Sequence, residues 1–386
     1  MGLTLCISPA YQDRWSLWAE TLPGSLAAHV EKAGANTQTF EVLVGPHSPN
    51  DLERKDLMPA THPVVELLYR RRNEGSLPGS RSDGYRVGLA IEGGGMRGIV
   101  SGAMMATLMD RELERSFDAV YSYSAGAMNC AYFLAGIGWY ALSIYYDNLL
   151  SRAFLDVRRV LRGQPAMSLD YVMDVVLETA KPLDYATVLA SPIELHVAAS
   201  SIRDLKPRDF TRFTSKEDLK AVLKASACLP LAAGTPIAYD GDLFLDGGIL
   251  LAHPVLTALE DGCTHILIIQ TRLNSPSRVA NLAGQLLMAG YLQRIRSGLG
   301  TAYLDTVKRY RQLRQHLQEV SRRQEGPPFI LEVACPTGAH DVTRYSQDRG
   351  VLLQGLRAGY SAMIKAIDSE DCPDHIYLQP RLFTQP

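Results

Sequence analysis

The chain is short of any excess of charge. Its 386 residues carry 39 Lys and Arg against 41 Asp and Glu, a net of −2. Such a balance gives no overall attraction to nucleic acid, which is therefore not an expected partner. Long apolar runs are also missing. The best candidate, residues 131–150, is interrupted by glycines and by Asp147 and Asn148, so no membrane-spanning helix is expected. A basic leader is absent too: Gln12, Asp13 and Arg14 come too early for a signal peptide. Cys6 stands where N-myristoylation needs Ser or Thr. The six cysteines (Cys6, Cys130, Cys228, Cys263, Cys335, Cys372) show no CxxC spacing, which reads as reduced core thiols of an intracellular protein. These absences together lead to the expectation of a cytoplasmic protein, able to touch a membrane from outside.

What is present is an ordinary globular balance, 46% hydrophobic and 21% charged, with a length that can bury a large core without disulfides or metals. The segment Gly75–Gly84 is rich in Gly, Ser and Pro and reads as a loop or linker. It closes an N-terminal extension of residues 1–84, which precedes a catalytic domain of residues 85–370 and a C-terminal tail of residues 371–386. Within the domain, short apolar runs at 86–91, 118–124, 193–198, 243–246, 265–270 and 329–334 read as strands. Helical spacing at 99–113, from 125, at 216–227, 254–260 and 352–367 separates them. That alternation predicts an α/β fold with a mainly parallel central sheet. A long helical insertion, residues 280–323, is expected to break or kink at Gly290, Gly298 and Gly300.

Two motifs carry chemistry. The first is Glu92-Gly93-Gly94-Gly95-Met96-Arg97-Gly98, after a strand and before a helix. Its glycines satisfy the dinucleotide fingerprint, but the next strand ends in Ser122-Tyr123-Ser124-Ala125-Gly126 rather than in an acidic ribose ligand. No Gly-Lys-Ser/Thr follows to make a P-loop. The remaining use of such a loop is an oxyanion hole, with backbone N–H groups converging at a helix N-terminus. The second motif, Ser122 to Gly126, resembles the G-x-S-x-G nucleophile elbow, with Ser122 in place of the first glycine. Ser124 is the expected nucleophile and Ser122 a minor rival.

A nucleophilic serine needs a base. His253 and His340 would serve a triad, but neither has a partner pattern. Asp246, ending a strand and followed by Gly247 and Gly248, is a second candidate; the residue alone reads equally well as a turn aspartate.

The glycine loop, the Ser122–Gly126 elbow, Asp246-Gly247-Gly248 and the block Ala225-Ser226-Ala227-Cys228-Leu229-Pro230, in this order, resemble the patatin-like phospholipase family of bacterial type. The likeness covers residues 86–270 well and the remainder loosely. It implies a three-layer α/β/α fold. It also implies a Ser–Asp dyad in which Ser124 attacks an ester carbonyl and Asp246 takes its proton. The N–H groups around Gly94, Gly95 and Met96 would hold the oxyanion, with Arg97 bracing the loop. The implied activity is calcium-independent hydrolysis of lipid acyl esters, with no metal and no cofactor. An acyltransferase using the same acyl-enzyme, or a non-catalytic lipid-binding protein, are the alternatives.

Two further segments bear on substrate. Residues 131–150 are rich in aromatics and read as core or as the wall of an acyl-chain channel. Residues 291–323 hold eight Lys and Arg against Asp305 and Glu319. That face suits an anionic membrane surface, or a helix packed on the sheet with its basic side in solvent.

Overall fold

The structure, a computed structural model, describes residues 62–273 and 282–368. Most of the N-terminal extension and the C-terminal tail, with Cys6 and Cys372, lie outside these residues. The strands are β1 (Val87–Ile91), β2 (Ala119–Ser122), β3 (Glu194–Ser201), β4 (Lys206–Phe210), β5 (Ile237–Tyr239), β6 (Asp242–Asp246), β7 (His265–Ile269) and β8 (Phe329–Val333). They form one eight-stranded sheet in the order β5-β6-β3-β2-β1-β7-β8, with β4 also paired to β3. The joins β1–β2, β1–β7, β2–β3 and β7–β8 are parallel; those made by β4, β5 and β6 are antiparallel. Every residue of β1 and β7 is buried, which is what central strands covered on both faces require.

The helices are α1 (Pro63–Asn73), α2 (Gly98–Asp110), α3 (Ala125–Leu134), α4 (Gly138–Ser143), α5 (Tyr185–Leu189), α6 (Lys216–Ser226), α7 (Val255–Glu260), α8 (Leu282–Ile295), α9 (Leu299–Arg323) and α10 (Arg349–Asp368). On one face of the sheet, Ala90, Tyr121, Ile266 and Ile268 meet Val255 and Ala258 of α7 and Leu317 of α9. The alternate residues Leu89, Ile91, Val120, Leu267 and Ile269 are also buried. Over that side α2 packs against α3, α4 and α10. The three-layer α/β/α arrangement expected from the sequence is therefore what the chain adopts.

The long helical segment divides into α8 and α9. Gly298, at φ +88°, makes the break. Gly290 lies inside α8. Gly300 lies in the first turn of α9, where a Cβ would sit 2.3 Å from the Ala289 carbonyl oxygen, so it sets a close helix contact rather than a kink. The helix α9 packs on β8 and leaves Lys308, Arg309, Arg311, Arg322 and Arg323 exposed. No helix among the described residues is long and apolar enough to cross a membrane. Cys130, Cys228, Cys263 and Cys335 are buried and unpaired.

The run Arg70-Arg71-Arg72 acquires a role in α1. Arg71 is fully buried, donating to Asp83 (2.7 Å), to Asp118 (2.8 Å) and to the carbonyls of Ser116 and Tyr85 (2.8 Å each). Asp118 also accepts from Arg81 (2.9 Å) and from the N–H of Val87 (2.8 Å). This charge-assisted network fastens α1 and the loop after it to the starts of β1 and β2.

Candidate active site

Sheet register brings the two proposed reacting groups together. Ser122 of β2 lies level with Val197 of β3, and Asp246 of β6 lies level with Ala199. Ser124, two residues beyond Ser122, thus reaches the level of Asp246. Although β6 runs antiparallel to β3, it pairs only with residues 199–201 at the end of β3, so its last residue still lies at the same end of the sheet as the last residue of β2.

Ser124 sits between β2 and α3 at φ +58°, ψ −137°, a conformation disfavoured for a residue with a side chain. The neighbours enforce it. The Ser124 N–H donates to the hydroxyl of Ser226 (2.8 Å), which donates in turn to the Ala198 carbonyl (2.7 Å). A Cβ on Gly126 would lie 2.4 Å from the Ser122 hydroxyl and 3.0 Å from the Glu92 carbonyl oxygen, so the turn takes glycine there. Ser122, buried, donates to the Ile91 carbonyl (2.8 Å) and ties β2 to β1. Ser226 lies in the quoted Ala225–Pro230 block, but its role there was not legible. Ser226→Ala leaves the buried Ser124 N–H without that acceptor. The expected result is a loss of about 1–2 kcal/mol of stability, read by denaturant melts, together with a lower kcat.

Asp246 is buried. Its carboxylate accepts from the Gly248 N–H (2.9 Å) and lies beside the Ser124 side chain. Its own N–H donates to the Cys228 carbonyl (2.8 Å). Burial pushes its carboxyl above the ordinary value; the nearby Ser124 hydroxyl, the Arg344 charge and the Gly248 N–H pull the other way without cancelling the rise. The histidines are engaged elsewhere. His253 Nδ1 accepts from the Val255 N–H (3.1 Å) and its Nε2 lies 3.4 Å from the Gln270 amide; burial lowers it to about 4. His340 Nδ1 accepts from the Val342 N–H (3.2 Å).

Glu92 anchors the glycine loop. Its carboxylate accepts from the N–H and hydroxyl of Thr271 (2.9 Å each), the N–H of Arg272 (3.1 Å) and the hydroxyl of Tyr310 (3.0 Å). Burial alone would raise its pKa; the positive charge of Arg272, with Arg314 and Arg97, outweighs it and holds the group at about 2. Gly95 has φ +56°, and a Cβ there would meet the Arg344 carbonyl oxygen at 2.7 Å. The Met96 N–H donates to that same oxygen (3.1 Å), and the Arg97 N–H donates to the Gly94 carbonyl (3.2 Å). Two N–H groups of the expected oxyanion loop are thus directed into its own scaffold. The Arg97 atoms Nε and Nη2 are buried with no hydrogen-bond partner among the described residues.

Gly93, Gly94, Gly95, Met96, Ser124 and Asp246 line one pocket. One wall is apolar and includes Tyr132, Ile144, Tyr145, Leu149, Phe154 and Leu177. Residues 131–150 therefore supply both core and wall. The other wall comes from the chain after β7 and carries Arg272, Gln285, Tyr303, Tyr310 and Arg344.

Comparison with known proteins gives three findings. Residues 89–259 match the family model of patatin-like phospholipases. The uncharacterized protein YjjU of Escherichia coli K12 is 25% identical over 264 residues, covering 67% of this chain and 70% of that protein. The crystal structure of VipD from Legionella pneumophila aligns with 74% of this chain and 67% of its own, at 12% identity and a TM-score of 0.37.

Proposed function

Residues 89–259 match the family model of patatin-like phospholipases, and from that match we propose that the protein hydrolyses lipid acyl esters through a Ser124 acyl-enzyme. The observation that carries this reading is the placement of Ser124 beside the buried Asp246 at a pocket with an apolar wall. Asp246 takes the proton of the Ser124 hydroxyl as its oxygen attacks the ester carbonyl. The carbonyl oxygen, now negative, is held by N–H groups of the glycine loop. With the Met96 and Arg97 N–H groups bound within the scaffold, Gly94 and Gly95 are the donors of choice. Collapse of the intermediate expels the alcohol, which takes the proton back from Asp246 and leaves the acyl group on Ser124. Asp246 then deprotonates water as the water oxygen attacks the acyl carbon; the fatty acid leaves, and the Ser124 oxygen takes the proton back from Asp246. The acyl chain lies along Tyr132, Ile144, Leu149 and Phe154.

The test is a fluorophosphonate probe followed by peptide mapping. A single adduct on Ser124 is expected, with labelling and ester turnover both unchanged in excess EGTA. An adduct on Ser122, or turnover that needs added calcium, would overturn the mechanism as written.

A further inference from the structure

Near the start of β3, away from the pocket, one buried imidazole faces three carboxylates. His196 lies level with Tyr121 of β2, and the two rings pack with centroids 4.3 Å apart. Its Nδ1 lies 2.6 Å from an oxygen of Asp209 on β4. A carboxylate only accepts, so Nδ1 carries the ring proton and Nε2 presents a lone pair. Only 8% of the His196 side chain is exposed, and Nε2 has no hydrogen-bond partner among the described residues. That nitrogen is aimed at Glu194 and Asp261, with an oxygen of each 3.7 Å away. A lone pair turned toward two carboxylate oxygens is unfavourable unless something positive stands between them. Arg86 supplies part of that charge, since its Nη2 bonds both Glu194 and Asp261. It leaves Nε2 unsatisfied, and its side chain is 30% exposed, so it can withdraw into solvent.

The surroundings are those of a metal ligand set. Histidines that bind metal characteristically donate their other ring N–H to a carboxylate, the part Asp209 plays here. Asp261 is oriented in the same way by the Tyr121 hydroxyl. Glu194, His196 and Asp261 each offer one donor atom, and these atoms lie within 4.8 Å of one another. Tetrahedral zinc, with bonds of about 2.0–2.1 Å, holds its ligand atoms about 3.4 Å apart, so small inward shifts close the set.

We propose that Glu194, His196 and Asp261 form a binding site for a divalent transition-metal ion, with zinc the best match. Asp209 and Tyr121 orient the ligands, and Arg86 is the group that the ion displaces. An imidazole beside two carboxylates suits zinc better than magnesium or calcium, which take oxygen. The ion ties the start of β3 to the residue that ends α7. Glu194 is level with Ala119, where β2 begins, whereas Ser124 lies past the end of β2. The site therefore braces the fold, takes no part in ester cleavage, and stands or falls independently of the hydrolase reading.

The test uses the full chain, stripped with a chelator and desalted, titrated with zinc chloride in a calorimeter and melted at each zinc concentration. One zinc per chain is expected, with a melting temperature that rises by about 5 °C once zinc is a hundredfold above Kd. Glu194→Gln, at an exposed strand start, should weaken binding by about a hundredfold, and so should His196→Phe, which keeps a ring against Tyr121. If His196→Phe fails to fold, Glu194→Gln carries the comparison. Arg86→Gln should tighten binding by about tenfold, because the competing cation is gone. No binding at neutral pH up to about 1 mM zinc overturns the site and leaves a proton on Nε2 as what the carboxylates hold. Zinc bound equally well by Glu194→Gln and the unmodified protein overturns it too, and so does weaker binding in Arg86→Gln. Displacement of the zinc by an equal concentration of magnesium would show that the nitrogen donor is not used, and would likewise overturn it.

Discussion

Ser124→Ala is expected to lower kcat on an acyl ester by a factor on the order of 10⁴–10⁶, the range seen when a nucleophile acting with its base is removed. Nothing else in the pocket can replace it. The nearest serine in sequence, Ser122, is buried and bound to Ile91. A companion variant separates chemistry from folding. Ser124 holds a positive φ that costs a residue with a side chain about 1 kcal/mol or more. Ser124→Gly is therefore expected to be as inactive as the alanine variant yet to melt higher than wild type. Loss of both activity and stability in Ser124→Gly would mean that the elbow is not strained and that the serine is structural.

Asp246→Asn is expected to lower kcat by about 10²–10⁴ while keeping the fold. The asparagine side-chain oxygen can still accept from the Gly248 N–H, but the amide cannot take the Ser124 proton. The sign of the stability effect follows from the raised carboxyl of Asp246. A folded-state pKa above the unfolded one makes the folded protein the better proton binder, so this group favours folding below its unfolded pKa and loses that contribution as pH rises through the folded value. At neutral pH the buried charge is therefore a burden, and Asp246→Asn should melt at or above the wild-type temperature. The same shift governs activity: wild-type kcat/KM should fall on the acid side at a pH above the ordinary aspartate value, as the base becomes protonated. Wild-type turnover in Asp246→Asn would remove the aspartate from the mechanism. An acid limb at or below the ordinary aspartate value would show that its burial has been misjudged.

The parts of this fold that the sequence made legible are those with one strong local signal. β1, β2 and β7 are unbroken apolar runs, and the elbow and glycine loop sit where those runs end. β4 gave no such signal, because Lys206–Phe210 is an exposed or half-buried strand with polar residues on both sides. β5 is short, and the antiparallel course of β5 and β6, which delivers Asp246, is set by a turn at Asp240 and Gly241 rather than by any periodicity. The stretch from 138 to 189 folds as short helices and wide-turned π-helical pieces at Ile144–Asn148 and Tyr171–Ala180, which a period of 3.6 residues does not fit. In the site, Ser124, Asp246 and the loop stood out as motifs. Arg272 and Arg344 did not, being single residues in unpatterned loops that matter only through what the fold sets beside them. Glu92 was quoted within the motif, yet its duty as the loop's anchor depends on Thr271 and Tyr310, which are remote in sequence.

Arg344 works through two separate sets of atoms. Its carbonyl oxygen holds the Met96 N–H and so shapes the loop above Ser124; its side chain faces the pocket. Every amino acid brings the same carbonyl, and only the side chain is open to mutation. The residue at 344 can therefore be exchanged without removing the carbonyl that holds the Met96 N–H, so the loop's shape does not depend on which side chain stands there.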